Sequence, residues 1–225
     1  MARVKTELRS AGSGRGSIVI ATALLCVLAP VGALAQADWE TIAQGHEIAV
    51  KREYYQIRGE TAEALLREMQ RKGPSGDTPD DRFYAITRSQ SSFRYETLRR
   101  GSTCTLTSVG VRTDIVVLLP KWEGENGSDP LAKQWREFIR KLEQHENGHV
   151  SISRSGSEKM YLSLKGLPSA SCGALKETAR STAKRLSDKV QEENEQYDQM
   201  TGHGRSQGAV WRVTTGGPRD PRSAG

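Results

Sequence analysis

Apolar side chains and two histidines recur at steps of three and four residues over one long segment, and this pattern limits the fold most strongly. Asp129 and Pro130 precede the segment, and both residue types are favourable at the start of a helix. The members of the stripe are Trp135, Phe138, Ile139, Leu142, His145, His149 and Ile152. The sequence therefore predicts a long helix whose buried face includes both histidines.

Three residues of this helix, His145, Glu146 and His149, form an HExxH motif. Side chains four residues apart project from the same helix face, so both imidazoles can bind one cation. Glu146 lies about 100° around the helix from His145, where it can take a proton from a zinc-activated water and return it to the leaving amine. The motif thus predicts a Zn²⁺ site with two histidine ligands and Glu146 as general base. Asn147 and Gly148 are poor helix formers, and a small residue here would admit substrate or a neighbouring strand.

A third protein ligand is expected, because catalytic zinc sites usually have three. The extended form of the motif, with a third histidine six residues after His149, is absent, since that position is Ser155. His203, which follows the second predicted long helix, is our preferred third ligand. The competing candidates are Asp198, Glu192, Glu193, Glu195 and His46.

The rest of the chain alternates between strand and helix patterns. Helical spacing predicts a helix from Thr61 to Gly73 and a second long helix from about Leu175 to Tyr197, closed by Gly202. Alternating apolar residues predict strands over 46–58 with a bulge near Arg52, over 83–87, over 92–98, and over 104–119 as two strands or as one that is interrupted at Gly110. We therefore predict an α+β fold, zincin-like, with a small mixed or antiparallel sheet packed on the HExxH helix and the second long helix.

Residues 1–35 have the features of an export signal. A basic start precedes an apolar run from Ile18 to Ala29, and Ala33-Leu34-Ala35 suits a signal peptidase. We expect cleavage after Ala35, one domain over 36–213 and a disordered tail over 214–225. The apolar run is too short for a membrane span, so we expect no stable membrane insertion and a periplasmic or extracellular protein.

Charge and cysteine content agree with export. Residues 1–35 hold four basic residues and one acidic residue, so their removal lowers the net charge from +6 to +3. No basic stripe is interleaved with aromatic residues, and nucleic acid is therefore not an expected partner. Two cysteines remain, Cys104 and Cys172, and an oxidising compartment favours a disulfide between them.

Four segments add a resemblance to a known family. They are YYQIRGETAEALLREM, the strand ending in LLP, WREFIRKLEQHENGHV and YDQMTGHGRSQGA. In this order they resemble the predicted secreted zinc-dependent proteases that form a bacterial domain of unknown function with an HExxH motif. The resemblance covers most of residues 46–210. One departure is the run Arg88-Ser89-Gln90, where the family usually has tryptophan after a threonine.

The resemblance implies that the C-terminal segment is functional. Its motif is matched here by Tyr197, Asp198, Thr201, His203 and Gly204. On this basis we expect Tyr197 to act in catalysis beside Glu146, with His203 at the metal. The predicted function is that of an exported zinc metallopeptidase acting on a peptide or protein substrate. Two alternatives remain open, an amidase that acts on cell-wall peptide and a zinc-stabilised binding module without turnover.

Overall fold

One mixed sheet and three helices make up the part of the chain that the structure describes. The computed structural model describes the backbone of residues 4–10 and all of residues 44–75, 82–125 and 129–213. In chain order the elements are β1 (Val4–Ser10), β2 (Gly45–Ile57), α1 (Ala62–Lys72), β3 (Ile86–Arg100), β4 (Thr103–Trp122), α2 (Pro130–Lys165), β5 (Ala170–Ser171) and α3 (Cys172–Thr201). A 3-10 turn at Arg205–Gln207 follows α3. The α+β class predicted from the sequence is confirmed.

The sheet has the strand order β1-β3-β4-β2, and the short β5 pairs with the start of β4. The central pair β3 and β4 is antiparallel, whereas β1 and β2 run parallel to their neighbours. Helix α2 packs on β4, and α3 packs beside α2 and contacts β1. The two long helices therefore lie together against the sheet, with α3 near the β1 edge.

The two central strands are longer than the sequence pattern indicated. All of the predicted strand 92–98 and the last two residues of the predicted strand 83–87 belong to one strand, β3, and β4 passes through Gly110 and Pro120 without a break. Gly110 pairs with Arg94 in β3 and with Gly45 in β2. Because β4 has a hydrogen-bonded neighbour on each edge, the sheet holds the weak strand formers in an extended conformation.

The bulge predicted near Arg52 is wrong. Pairing between β2 and β4 is continuous from Gly45 to Ile57, and the one register shift in the β3–β4 pair lies between Glu96 and Thr97. The change of apolar phase in β2 has another cause. Ile48 and Val50 lie on one face and Tyr55 on the other, yet all three pack against the same core, so the strand needs no extra residue.

Helix ends follow the predicted caps. Thr61 Oγ1 accepts a hydrogen bond from the Ala64 amide at the start of α1, and Asp129 Oδ1 accepts one from Ala132 at the start of α2. Helix α2 begins at Pro130 as predicted and continues to Lys165. Helix α3 contains the predicted segment and ends at Gly202, which has a φ of 57°.

A disulfide joins Cys104 in β4 to Cys172 at the start of α3, which confirms the predicted pair. It closes a loop of 68 residues, and a loop of this length implies a stabilisation of about 4 kcal/mol. A structural disulfide is typical of an extracytoplasmic protein.

The predicted signal and tail fall largely outside the described residues. The apolar run Ile18–Ala29, the cleavage motif and residues 214–225 are not described, and of residues 1–35 only the backbone of β1 is. Among the helices that the structure describes, none has the length and apolar character needed to cross a membrane.

Candidate metal centre

Helix α2 places three residues of the HExxH motif in the interior. The side chains of His145, Glu146 and His149 are all 0% exposed. Helix α3 faces them with a second pair of residues four apart, Asn194 and Asp198, which are also buried. Side chains at this spacing share a helix face, so each helix contributes two groups to one site.

Three ligand atoms converge between the helices. The Nε2 atoms of His145 and His149 are 3.2 Å apart, and each lies 3.1 Å from Oδ1 of Asp198. Among the described residues, this is the group of histidine, cysteine or carboxylate side chains whose ligand atoms lie close enough together to hold a metal ion.

Hydrogen bonds behind the imidazoles fix their tautomers. Asn194 donates its amide to the Val190 carbonyl, so its Oδ1 faces Nδ1 of His149 at 2.9 Å. Gln207 donates its amide to the Tyr197 hydroxyl, so its Oε1 faces Nδ1 of His145 at 2.9 Å. Each Nδ1 therefore donates to an amide oxygen, so that Nε2 is the ring atom of each histidine that faces Asp198 and is available to a metal ion.

The resulting arrangement fits a divalent cation. Two imidazole Nε2 atoms and a carboxylate oxygen point at one another, an arrangement that needs a positive charge among them, either a proton in the metal-free protein or a metal ion. Zinc bonds of about 2.0 to 2.1 Å in a tetrahedron separate the ligand atoms by about 3.3 Å. The observed separations of 3.1 to 3.2 Å are close to that value.

The charge of Asp198 suits a ligand. Burial alone would raise the pKa of this carboxyl, but hydrogen bonds and charge interactions with His145 and His149 lower it to about 2. Asp198 is therefore ionised throughout the neutral range.

Glu146 has a different environment although it lies next to a ligand. Its Oε2 accepts a 2.6 Å hydrogen bond from the Thr87 hydroxyl, and its buried Oε1 has no hydrogen-bond partner. Burial raises the pKa of Glu146 to about 7, and the hydrogen bond from Thr87 only partly offsets this. One carboxylate oxygen is thus anchored, and the other is free to accept a proton.

This pKa predicts how the stability of the metal-free protein depends on pH. A carboxyl with a pKa raised from about 4.3 in the unfolded chain stabilises the fold fully below that value and loses the contribution as pH rises. With a folded-state pKa of about 7, the loss is on the order of 3 kcal/mol between pH 4 and pH 8. Glu146→Gln should remove this dependence.

Denaturant unfolding of the two chelator-treated proteins at several pH values measures the effect. The free energy of unfolding of Glu146→Gln minus that of the wild type should grow by on the order of 3 kcal/mol from pH 4 to pH 8. Groups common to both proteins cancel in the difference. A constant difference across this range would mean that Glu146 is not desolvated in the folded protein.

Tyr197 packs directly on the two histidines. Its ring stacks on His145 with centroids 5.1 Å apart and meets the edge of His149 at 4.9 Å. Its hydroxyl donates to the His145 carbonyl at 3.3 Å and accepts from Gln207. These contacts position the imidazoles. The catalytic role expected for Tyr197 stays a prediction.

The candidate third ligands are placed differently. Asp198 lies inside the group of ligand atoms, whereas His203 lies just outside it, with Nδ1 3.6 Å from Asp198 Oδ1. The His203 side chain is 39% exposed and its backbone φ is 54°. His46 lies elsewhere, with Nε2 3.0 Å from Ser157 Oγ. The α3 carboxylates Glu192, Glu193 and Glu195 also lie outside this group.

Three further residues of the site were not identified from the sequence. Asn194 had a usable signal, because it precedes Asp198 by four residues on the same helix. Gln207 and Thr87 had none, since each reaches the site only through the tertiary fold: Gln207 from the 3-10 turn and Thr87 from β3.

An α+β protein with a buried His-His-Asp group between two long helices is a candidate metalloprotein. The chain belongs to the family described as "Bacterial protein of unknown function (DUF922)", whose model matches residues 52–204. That range includes every residue of the site except Gln207. Comparisons with curated proteins and with solved structures find no match.

Proposed function

We propose that this protein is an exported zinc metallopeptidase that acts in the periplasm or outside the cell. His145, His149 and Asp198 would hold Zn²⁺, and Glu146 would be the general base. The main support is the convergence of two imidazole nitrogens and a carboxylate oxygen beside Glu146, whose Oε1 has no hydrogen-bond partner. Two nitrogens and one carboxylate oxygen are a ligand set that catalytic zinc sites use.

The bound metal would supply Lewis acidity, which polarises a peptide carbonyl and acidifies a water. The chain would supply proton transfer and orientation. Oε1 of Glu146 takes a proton from the attacking water and returns it to the amine nitrogen as the peptide bond breaks. Thr87 holds Oε2 and so aims the other oxygen. The same carboxylate thus serves as base and then as acid.

Orientation of the ligands comes from a second set of side chains. Gln207 and Asn194 hold the two imidazoles by their Nδ1 atoms, and Tyr197 fills the space between the rings. Such outer partners typically contribute about 10- to 100-fold to metal affinity or activity. Export is supported by the Cys104–Cys172 disulfide together with the signal features of residues 1–35.

Glu146→Gln tests the proposed function. This variant keeps the side-chain shape and should bind as much zinc as the wild type, while casein hydrolysis falls by about 100- to 10,000-fold because proton transfer is lost. His149→Ala should lose both zinc and hydrolysis. Glu158→Gln, an exposed position on the same helix, is the matched control and should change neither. Zinc content and release of acid-soluble peptide are the two measurements.

Each other outcome favours a different function. Release of peptide from purified cell wall with casein untouched would indicate a cell-wall amidase. Full zinc content without hydrolysis of either substrate by the wild type would indicate a binding module. Equal hydrolysis by wild type and Glu146→Gln would exclude Glu146 as the base.

A further inference from the structure

The outer edge of β3 begins beside the general base. Thr87 is the second residue of β3, and its hydroxyl holds Oε2 of Glu146. One edge of β3 is paired with β4 along the whole strand. The other edge is paired with β1 over Thr87–Phe93, and the first pair is Val4 with Thr87. The backbone of β1 therefore starts next to the candidate site and runs away from it.

Strand β1 occupies a groove whose walls also form the site. One wall is β3, which contributes Thr87, and the other is α3, which contributes Asn194 and Asp198. The structure thus shows that an extended segment of seven residues fits between these two elements. Such a segment is held by main-chain hydrogen bonds to β3, which do not depend on its side chains.

The segment in this groove is also one that we expect the protein to lose. Residues 4–10 lie within the predicted signal, so cleavage after Ala35 would remove β1. The edge Thr87–Phe93 would then present unpaired amide and carbonyl groups, and such an edge pairs readily with another extended chain. The opposite edge of the sheet is formed by β2, which lies on the far side of β4 from β3.

We infer that the outer edge of β3 from Thr87 to Phe93 is the substrate-binding strand, and that it holds an unfolded segment of polypeptide by β-strand addition in the place of β1. This inference rests on the proposed function, since it names the class of substrate of the same site. A peptide held in this way passes Glu146 in an extended conformation. Recognition is through the main chain, so the enzyme would accept many sequences but only unfolded segments.

The precursor would be inhibited by its own N-terminus. While residues 4–10 pair with β3, no other chain can reach Thr87–Phe93. Removal of the signal would therefore open the groove, and the peptidase would be active only after export.

Hydrogen exchange on the exported Glu146→Gln protein, loaded with zinc, tests the inference without hydrolysis of the probe. Mass spectrometry first establishes the N-terminus. The probe is a synthetic peptide, MARVKTELRSAG, which is residues 1–12 of this chain. The matched control is the same peptide with N-methyl groups on every residue from 4 to 10, which leaves neither edge of this segment an amide to donate to β3. Amide exchange is followed in Thr87–Phe93 and, as an internal control, in β2.

The parent peptide should slow amide exchange in Thr87–Phe93 by about tenfold or more, as expected when exposed edge amides become hydrogen-bonded. Exchange in β2 should not change, and the N-methylated peptide should have no effect. Equal binding of both peptides, or binding without protection of Thr87–Phe93, would overturn the inference. So would protection of this edge without peptide, either because residues 4–10 are retained or, if it rises with protein concentration, because a second copy pairs there.

The binding result and the proposed function can fail separately. Protection of Thr87–Phe93 by the peptide, with no hydrolysis by the zinc-loaded wild type, would leave the binding strand in place and remove the peptidase activity. Casein hydrolysis by the wild type without peptide protection at this edge would do the reverse.

Discussion

Asp198→Ala is expected to abolish tight zinc binding, whereas His203→Ala should retain it. Oδ1 of Asp198 lies 3.1 Å from both Nε2 atoms, so its removal takes away one of the three proposed ligands and the negative charge of the group. The loss should exceed the roughly 10- to 100-fold that removal of an outer partner causes. Isothermal titration with Zn²⁺ on chelator-treated protein measures it.

A second substitution separates loss of a ligand from loss of the fold. Asp198→Asn keeps the size of the side chain and removes its charge, and it should also bind zinc much more weakly than the wild type. Circular dichroism and the thermal midpoint establish that each variant is folded. If a folded Asp198→Ala protein binds zinc as the wild type does while His203→Ala does not, then His203 is the third ligand.

The first half of the site could be predicted because it is local. His145, Glu146 and His149 lie within five residues, and their helical spacing alone places both imidazoles on one face. The long stripe of apolar residues before them indicated that this face is buried, and each of the three side chains is 0% exposed. The Cys104–Cys172 pair was predictable for a different reason, since only two cysteines remain after the expected cleavage.

The second half of the site depends on where α3 ends, and the helix predicted from the apolar pattern stopped at Tyr197, one residue before Asp198. Buried residues of α3 recur at helical spacing through Val190, Asn194 and Asp198. Asp198 therefore continues the buried stripe. His203 lies beyond the left-handed Gly202, where the chain leaves the helix axis, and its side chain is partly exposed. Two helical turns beyond Val190 lead to Asp198, and this extension of the stripe would have placed Asp198 beside the two histidines.

Strand breaks were predicted too often for a related reason. Polar residues of β3 such as Thr87, Ser89 and Ser91 are buried because they lie on the face of the sheet that packs against the helices. Thr87 bonds to Glu146, and Ser91 bonds to Thr113, which in turn donates to Ser157 of α2. The run Arg88-Ser89-Gln90 thus lies inside a long strand, where local polarity suggested a gap. Pairing with β4 holds this run in an extended conformation. The apolar periodicity of one segment carries no information about such pairing.

Gly148, which weakens the HExxH helix locally, has a structural reason in the approach of α3. A Cβ atom at this position would overlap the hydroxyl and ring of Tyr197, and it would lie 2.6 Å from Cε1. The open space that the sequence suggested for a substrate or a strand is therefore filled by an aromatic side chain. Absence of a side chain at Gly148 allows Tyr197 to stack on His145.

Gly148→Ala should therefore damage both stability and metal binding, although alanine is the better helix former. The added methyl group must displace Tyr197 or push α3 away from α2, and overpacking of this kind costs about 1 to 3 kcal/mol or more. Displacement of Tyr197 also breaks its hydrogen bond with Gln207, which orients His145. We expect a free energy of unfolding lower by about 3 kcal/mol and zinc affinity lower by about tenfold or more.

Gly173→Ala is the matched control, because a Cβ at Gly173 in α3 meets no atom within 4 Å. It should be neutral or stabilise the protein by up to about 1 kcal/mol through helix propensity. Tyr197→Ala removes the group with which the new methyl collides, so the double variant Gly148→Ala/Tyr197→Ala should cost less than the sum of the two single variants. Additive costs in this double-mutant cycle would show that Gly148 and Tyr197 are not in contact. In that case α2 and α3 would not pack closely at the candidate metal site.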